Sequence, residues 1–131
     1  MSAGFPAELA ARARRVRLLL FDVDGVLTDG TILLDADGRE SKRFSIKDGT
    51  AIVWARQAGL LTGVLSARSA AATTERARQL GMAIVRQQAS DKAAAFAEIL
   101  AEQGLEADAV AYMGDDLMLS LIHISEPTRP Y

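Results

Sequence analysis

The chain has 131 residues, with 15 basic and 17 acidic side chains, one histidine, no cysteine and half of its residues apolar. That is the length of about one domain, and no segment approaches the roughly 18 apolar residues of a membrane span. A net charge of −2 offers no basic field to nucleic acid or an anionic membrane, and zero cysteine excludes disulfides, thiolate zinc sites and cysteine catalysis.

The first fifteen residues lack the apolar core of a signal peptide, so a cytoplasmic location is expected. Pro6–Arg15 reads as a helix, with proline at an allowed first-turn position. Val16–Phe21 is a nearly continuous apolar run, the pattern of a strand buried on both faces of a parallel sheet. Thr31–Leu34, the turn-rich Asp35-Ala36-Asp37-Gly38 and Glu40–Ile46 read as a hairpin with a polar face.

Gly49–Ala58 suits a helix closed by Gly59, and Leu60–Ser66 a second buried strand. Ser69–Leu80 reads as a helix ended by Gly81, Ala83–Arg86 as a brief strand, and Ser90 as the cap of a helix running to Gln103 and closed by Gly104. Ala109–Met113 is the last clear strand. Units of this kind predict an α/β, three-layer Rossmann-like parallel sheet with helices on both faces and a β-hairpin inserted after the first strand.

Phe21-Asp22-Val23-Asp24-Gly25 puts two carboxylates at i and i+2 just past the carboxyl end of a buried strand. Open α/β sheets bind ligands there. Two acids so close repel unless a cation or a shared proton intervenes, so a hard metal ion is a natural expectation. A second acidic pair, Asp115-Asp116, follows the last strand, and converges on the first if the two strands are neighbours. Ser66 offers a hydroxyl at a strand end and Lys92 a point charge at a helix start, both suited to a phosphate. The plainer alternatives are turn or cap aspartates, a capping serine and a solvated lysine. Together the four pieces supply the parts of phosphoryl transfer.

This order of motifs resembles the haloacid dehalogenase superfamily of phosphohydrolases. Within it, F-D-V-D-G-V-L-T-D-G, the hairpin, F-S-I-K-D-G-T, the S-A-R segment and Y-M-G-D-D-L are similar to the capless 3-deoxy-D-manno-octulosonate 8-phosphate phosphatases, over about Val16–Leu117. The resemblance implies a phosphorylated sugar-acid substrate, an aspartyl-phosphate intermediate on Asp22, and Asp24 as acid and base. It also implies Mg2+ held by Asp22, Asp24 and Asp115, with Asp116 behind them, and Ser66 and Lys92 on the phosphoryl oxygens. Ser45, Ile46, Lys47, Asp48, Gly49, Arg68 and Arg76 fall at substrate-contacting positions, and the hairpin at a homotetramer interface. A sister phosphatase for a nine-carbon sugar phosphate and a non-catalytic oligomerisation module are the alternatives.

Ala51 and Val53 stand where that family is expected to carry a glycine and a basic residue, and Ala67 where glycine usually follows the hydroxyl residue. Leu119–Tyr131 carries two of the three prolines and the only histidine, and resembles translated sequencing-adapter DNA. The expectation is a phosphatase domain over 1–118, incomplete at its C-terminus, followed by a non-native tail over 119–131.

Overall fold

The computed structural model describes residues 6–114, in the order α1 (Ala7–Arg15), β1 (Leu18–Phe21), β2 (Leu33–Leu34), β3 (Glu40–Ser41), α2 (Ile46–Gln57), β4 (Leu61–Leu65), α3 (Ala71–Leu80), β5 (Ile84–Arg86), α4 (Lys92–Gln103) and β6 (Val110–Met113). A 3-10 turn, Ala107–Ala109, leads into β6. Four strands form one parallel sheet in the order β5-β4-β1-β6, while β2 and β3 pair antiparallel outside it. The chain winds from β1 outward through β4 to β5 and then returns to the other side of β1 with β6. That reversal beside β1 is a topological switch point, where neighbouring loops part to open a crevice at the strands' carboxyl ends.

The sheet is covered on both faces, as its doubly buried strands require. Leu18 and Leu20 of β1 point to one side and pack with Leu65, Ile84, Ala95, Phe96 and Ile99, which brings α4 onto that face. Val64 points to the other and packs with Val23, Leu27, Ile52, Ala77 and Leu80, which brings α2 and α3 onto the opposite face. Gly63 permits this packing, because a Cβ there would stand 2.6 Å from Ile84 Cβ and 2.9 Å from the Ile84 carbonyl oxygen. Among the described residues α1 buries no side chain, and β6 is the edge strand, its Met113 58% exposed.

Several boundaries move for identifiable reasons. The hairpin strands are only two residues each, and Ile46 opens α2 instead of ending β3, because Ser45 turns the chain and its hydroxyl accepts the Asp48 N–H. The cap of α4 is Asp91, not Ser90: its carboxylate accepts the Ala94 N–H at 3.0 Å. Gly59 falls one residue after the actual C-cap of α2, Ala58, whereas Gly81 and Gly104 adopt the left-handed cap conformation (φ 68° and 66°). The remaining elements start or stop within one or two residues of expectation, as fraying ends do.

Candidate active site

The loop that carries both N-terminal carboxylates is closed by its own backbone. The Val23 carbonyl accepts the N–H groups of Val26, Leu27 and Thr28 (3.2, 2.9 and 3.2 Å), and the buried Thr28 hydroxyl accepts those of Gly25 and Gly30 (3.3 and 3.1 Å). Gly25 and Gly30 both have positive φ (84° and 87°), so the turn calls for glycine at these positions. The result is a rigid bracket that presents Asp22 and Asp24 at the carboxyl edge of β1. Thr28 is a positioning residue that sequence reasoning missed; its signal is a hydroxyl set between two glycines.

Asp22 is buried. Its Oδ1 accepts the Val23 N–H at 2.8 Å and its Oδ2 lies 3.3 Å from Lys92 Nζ. Lys92 is the first residue of α4 and its side chain is 1% exposed. A lysine so enclosed needs a counter-charge, and the plain reading of Lys92 as a solvated surface residue is thereby excluded. The Asp22 N–H donates to the Met113 carbonyl at 2.8 Å, so the chain leaves β6 beside Asp22. Asp115 and Asp116 lie outside the described residues. Among the described residues no three carboxylate or imidazole groups gather as a metal site.

Ser66 is buried at the end of β4, whose Val64 pairs with Phe21, so Ser66 and Asp22 leave adjacent strands at the same edge. Its hydroxyl accepts the Arg68 N–H at 3.3 Å, its N–H donates to the Arg86 carbonyl and its carbonyl accepts the Ala89 N–H. This places an oriented hydroxyl beside a turn of backbone N–H groups. Gln87 ties the next loop in, accepting the Ala70 N–H at 2.8 Å and donating to the Thr74 hydroxyl.

Asp24 sits in a different setting. Lys42 Nζ is 2.5 Å from its Oδ1 and Arg68 Nε is 3.6 Å from its Oδ2. Both cations also meet Glu40: Lys42 at 3.0 Å, and Arg68 through a short hydrogen bond. Burial pushes the Lys42 pKa down, but its hydrogen bonds to Asp24 and then Glu40, with both charges behind them, outweigh this and hold it above the usual lysine value. Sequence reasoning placed Arg68 near the substrate and overlooked Glu40 and Lys42.

The other expected substrate positions form a second group. Arg76 donates to the Ser45 carbonyl and to Gln79 (both 3.3 Å) and lies 5.9 Å from the Phe44 ring centre. It also covers Gly49, where a Cβ would meet Arg76 Nη2 at 2.4 Å. Ser45, Gly49, Asp48 and Arg76 line one narrow apolar cleft between α2 and α3, while Lys47 and Ile46 face outward. The structure thus brings Asp22 with Lys92, Asp24 with Arg68, and Ser45 and Gly49 with Arg76.

No protein-family model matches the chain. It is 37% identical over 112 residues to the 3-deoxy-D-manno-octulosonate 8-phosphate phosphatase of Escherichia coli, an alignment covering 86% of this chain and 60% of that protein. The chain therefore spans about three fifths of the length of the curated relatives it matches. Among solved structures, the 3-deoxy-D-manno-octulosonate 8-phosphate phosphatase of Moraxella catarrhalis, in complex with a magnesium ion, a phosphate ion and KDO, superposes with a TM-score of 0.83 at 33% identity, over 87% of this chain and 66% of that one. The corresponding phosphatase of Yersinia pestis gives 0.85 at 35% identity, over 88% and 63%.

Proposed function

From the premise that the chain belongs to the haloacid dehalogenase superfamily, we propose that it is a magnesium-dependent phosphomonoester hydrolase that converts 3-deoxy-D-manno-octulosonate 8-phosphate and water to the free sugar acid and phosphate. The observation that carries the reading is the sealed Asp22–Lys92 pair, with Asp24 two residues on, at the carboxyl edge of β1 beside the switch point. The substrate named for the relatives supports the sugar acid, and a role in lipopolysaccharide precursor synthesis is part of the proposed reading.

In this reading an Asp22 carboxylate oxygen attacks phosphorus as the bond from phosphorus to the sugar oxygen breaks, and the Asp24 carboxyl group gives its proton to that oxygen. Asp24 then takes a proton from the water that attacks the aspartyl phosphate. The bond to Asp22 breaks and phosphate leaves. Lys92 and the Ser66 hydroxyl hold the phosphoryl oxygens, and Lys92 also reduces repulsion between Asp22 and the dianion. Arg68, half exposed at the mouth, suits a sugar carboxylate, which a guanidinium can grip with two parallel hydrogen bonds.

The donor set fits magnesium. It offers hard oxygen atoms, and with the Asp24 carboxylate engaged by Lys42 and Arg68, the ion would be held by the Asp22 carboxylate and the Asp24 backbone carbonyl, together with Asp115 and Asp116 of the segment outside the described residues. When bound, the ion neutralises charge on the transferring phosphoryl group. The exposed Leu33 and Leu34 of the hairpin and Ile46 and Trp54 of α2 support a homotetramer that covers them, and a phosphatase domain over 1–118 followed by a foreign tail over 119–131 is part of the same reading. Among the described residues no helix is long and apolar enough to cross a membrane, and we place the enzyme in the cytoplasm.

The test is phosphate release from the eight-carbon ester, with and without magnesium, in the parent chain and in Asp22→Asn. The expected result is metal-dependent release that Asp22→Asn abolishes. Retained turnover in Asp22→Asn would remove the covalent mechanism, and faster hydrolysis of the corresponding nine-carbon ester would remove the substrate.

A further inference from the structure

Lys42 belongs to none of the roles assigned above, yet its side chain is 1% exposed on a hairpin whose leucines face solvent. Two carboxylates and two cations alternate around it: Asp24, Lys42, Glu40 and Arg68. Three separate segments supply them, the loop after β1, the outgoing hairpin strand and the loop after β4. The group is neutral as a whole, which is the condition for enclosing an ammonium.

The two cations hold Asp24 unequally. Lys42 makes a 2.5 Å contact with Oδ1 from an enclosed position, whereas Arg68 stands 3.6 Å from Oδ2 with a side chain 51% exposed, where water and salt weaken its hold. Glu40 gives the same ammonium a second carboxylate contact, at 3.0 Å. A short carboxylate side chain rotates freely about its last bond unless one oxygen is pinned, and proton transfer needs the other oxygen within hydrogen-bond reach of the reacting atom.

We propose that Lys42 is a positioning residue for Asp24: backed by Glu40, it pins Oδ1 and so directs the Asp24 carboxyl group toward the leaving sugar oxygen and then toward the attacking water. This rests on the reading of Asp24 as acid and base. It makes the hairpin part of the chemistry, since the residue that aims Asp24 lies just past β3.

The test compares Lys42→Met, Lys42→Arg and Glu40→Gln with the parent 131-residue chain, assayed with magnesium on the sugar phosphate and on p-nitrophenyl phosphate. Loss of aim without loss of binding predicts that Lys42→Met lowers kcat by about ten- to hundredfold with KM within about twofold, and that Lys42→Arg recovers part of the loss. A p-nitrophenolate leaving group needs little protonation, so an initial burst of p-nitrophenol persists in Lys42→Met while steady turnover, which needs the base, falls. General damage to the fold would lower burst and turnover together. Where Lys42→Met does not fold, Glu40→Gln carries the test, with an expected fall in kcat of roughly two- to fivefold.

A kcat within about twofold of the parent in the folded variant, or an equal loss of burst and turnover, overturns the role of Lys42. Asp22→Asn, run alongside, separates the two readings. Full activity there refutes the covalent mechanism, whereas its inactivity beside an active Lys42→Met refutes only the positioning role.

Discussion

Asp22 and Asp24 stand two residues apart and are held by different parts of the molecule. Asp22 is fixed from the core: its own loop supplies the N–H on Oδ1, and α4, packed on the sheet through Ala95, Phe96 and Ile99, delivers Lys92 to Oδ2. Asp24 is fixed from the periphery, by Lys42 and Glu40 of a hairpin with two-residue strands and by the half-exposed Arg68. Asp22, the proposed nucleophile, thus inherits the rigidity of the sheet, while Asp24, the proposed acid and base, depends on a short hairpin that lies outside that sheet. A nucleophile must meet one phosphorus atom in line. An acid that becomes a base must serve two partners in turn, so adjustable support costs it less.

The largest expected effect breaks the core-held side. Lys92→Met strands a buried Asp22 charge, which costs about 3–5 kcal/mol, and it should also abolish phosphate release. Urea unfolding of the variant and of Asp22→Asn/Lys92→Met measures this, with the double variant losing less stability than Lys92→Met alone. A cost below about 1 kcal/mol for Lys92→Met, the range of exposed pairs, would show that the two aspartates are held alike. Next comes the bracket that both share. Thr28→Val keeps the shape but removes the acceptor of the Gly25 and Gly30 N–H groups, for an expected loss of about 1–3 kcal/mol. Because the same turn carries Asp22 and Asp24, activity on every phosphate ester should fall together. Loss confined to esters with poor leaving groups would mean that Thr28 serves Asp24 only.

The peripheral side has a pH signature. A lysine whose folded pKa lies above its ordinary 10.5 adds stability that is fully present below that value and is lost as pH rises through the raised one. The stability difference between the parent and Lys42→Met should therefore be constant through neutral pH and shrink only in the alkaline range. The exposed Glu75 on α3 runs the other way. Arg78, chiefly through its hydrogen bond, holds the Glu75 pKa below 4.5, so what that pair contributes is present above 4.5 and lost on acidification. A Lys42 difference that already changes between pH 6 and 8 would contradict the ion-pair assignment.

Much of the core-held side is legible in the sequence, because it is written in local pattern. Apolar runs mark β1 and β4, glycines stop α3 and α4, and acids or hydroxyls follow strand ends. The burial of Lys92 is not legible: the local pattern of a helix start is the same for a surface lysine, and only the packing of α4 on the sheet encloses it. The peripheral side is hidden for a different reason. Lys42 and Glu40 lie in what reads as the polar face of a hairpin, and their partners Asp24 and Arg68 come from loops after two different strands, so no spacing rule connects them. The sequence pattern puts Ile46 in the hairpin because a β-branched residue following a strand extends that strand by propensity, whereas the Ser45 hydroxyl capping the Asp48 N–H decides for helix.

The smallest expected effect probes how tightly α4 aims Lys92. Gln88, in the loop between β5 and α4, has φ +57°, the left-handed region that costs a side-chain-bearing residue roughly 1–2 kcal/mol. Gln88→Gly removes that cost but gives the unfolded chain freedom worth about 0.5–1 kcal/mol. The balance is a gain between zero and about 1.5 kcal/mol, seen as a thermal midpoint higher by several degrees at most. Gln88 is exposed, and the start of α4 is set three residues later by the Asp91 cap and by the core contacts of Ala95 and Phe96. Relief at Gln88 should therefore leave phosphate release unchanged. A variant that is more stable but slower would show instead that the strained turn helps to place Lys92, and that even the core-held carboxylate depends on a loop.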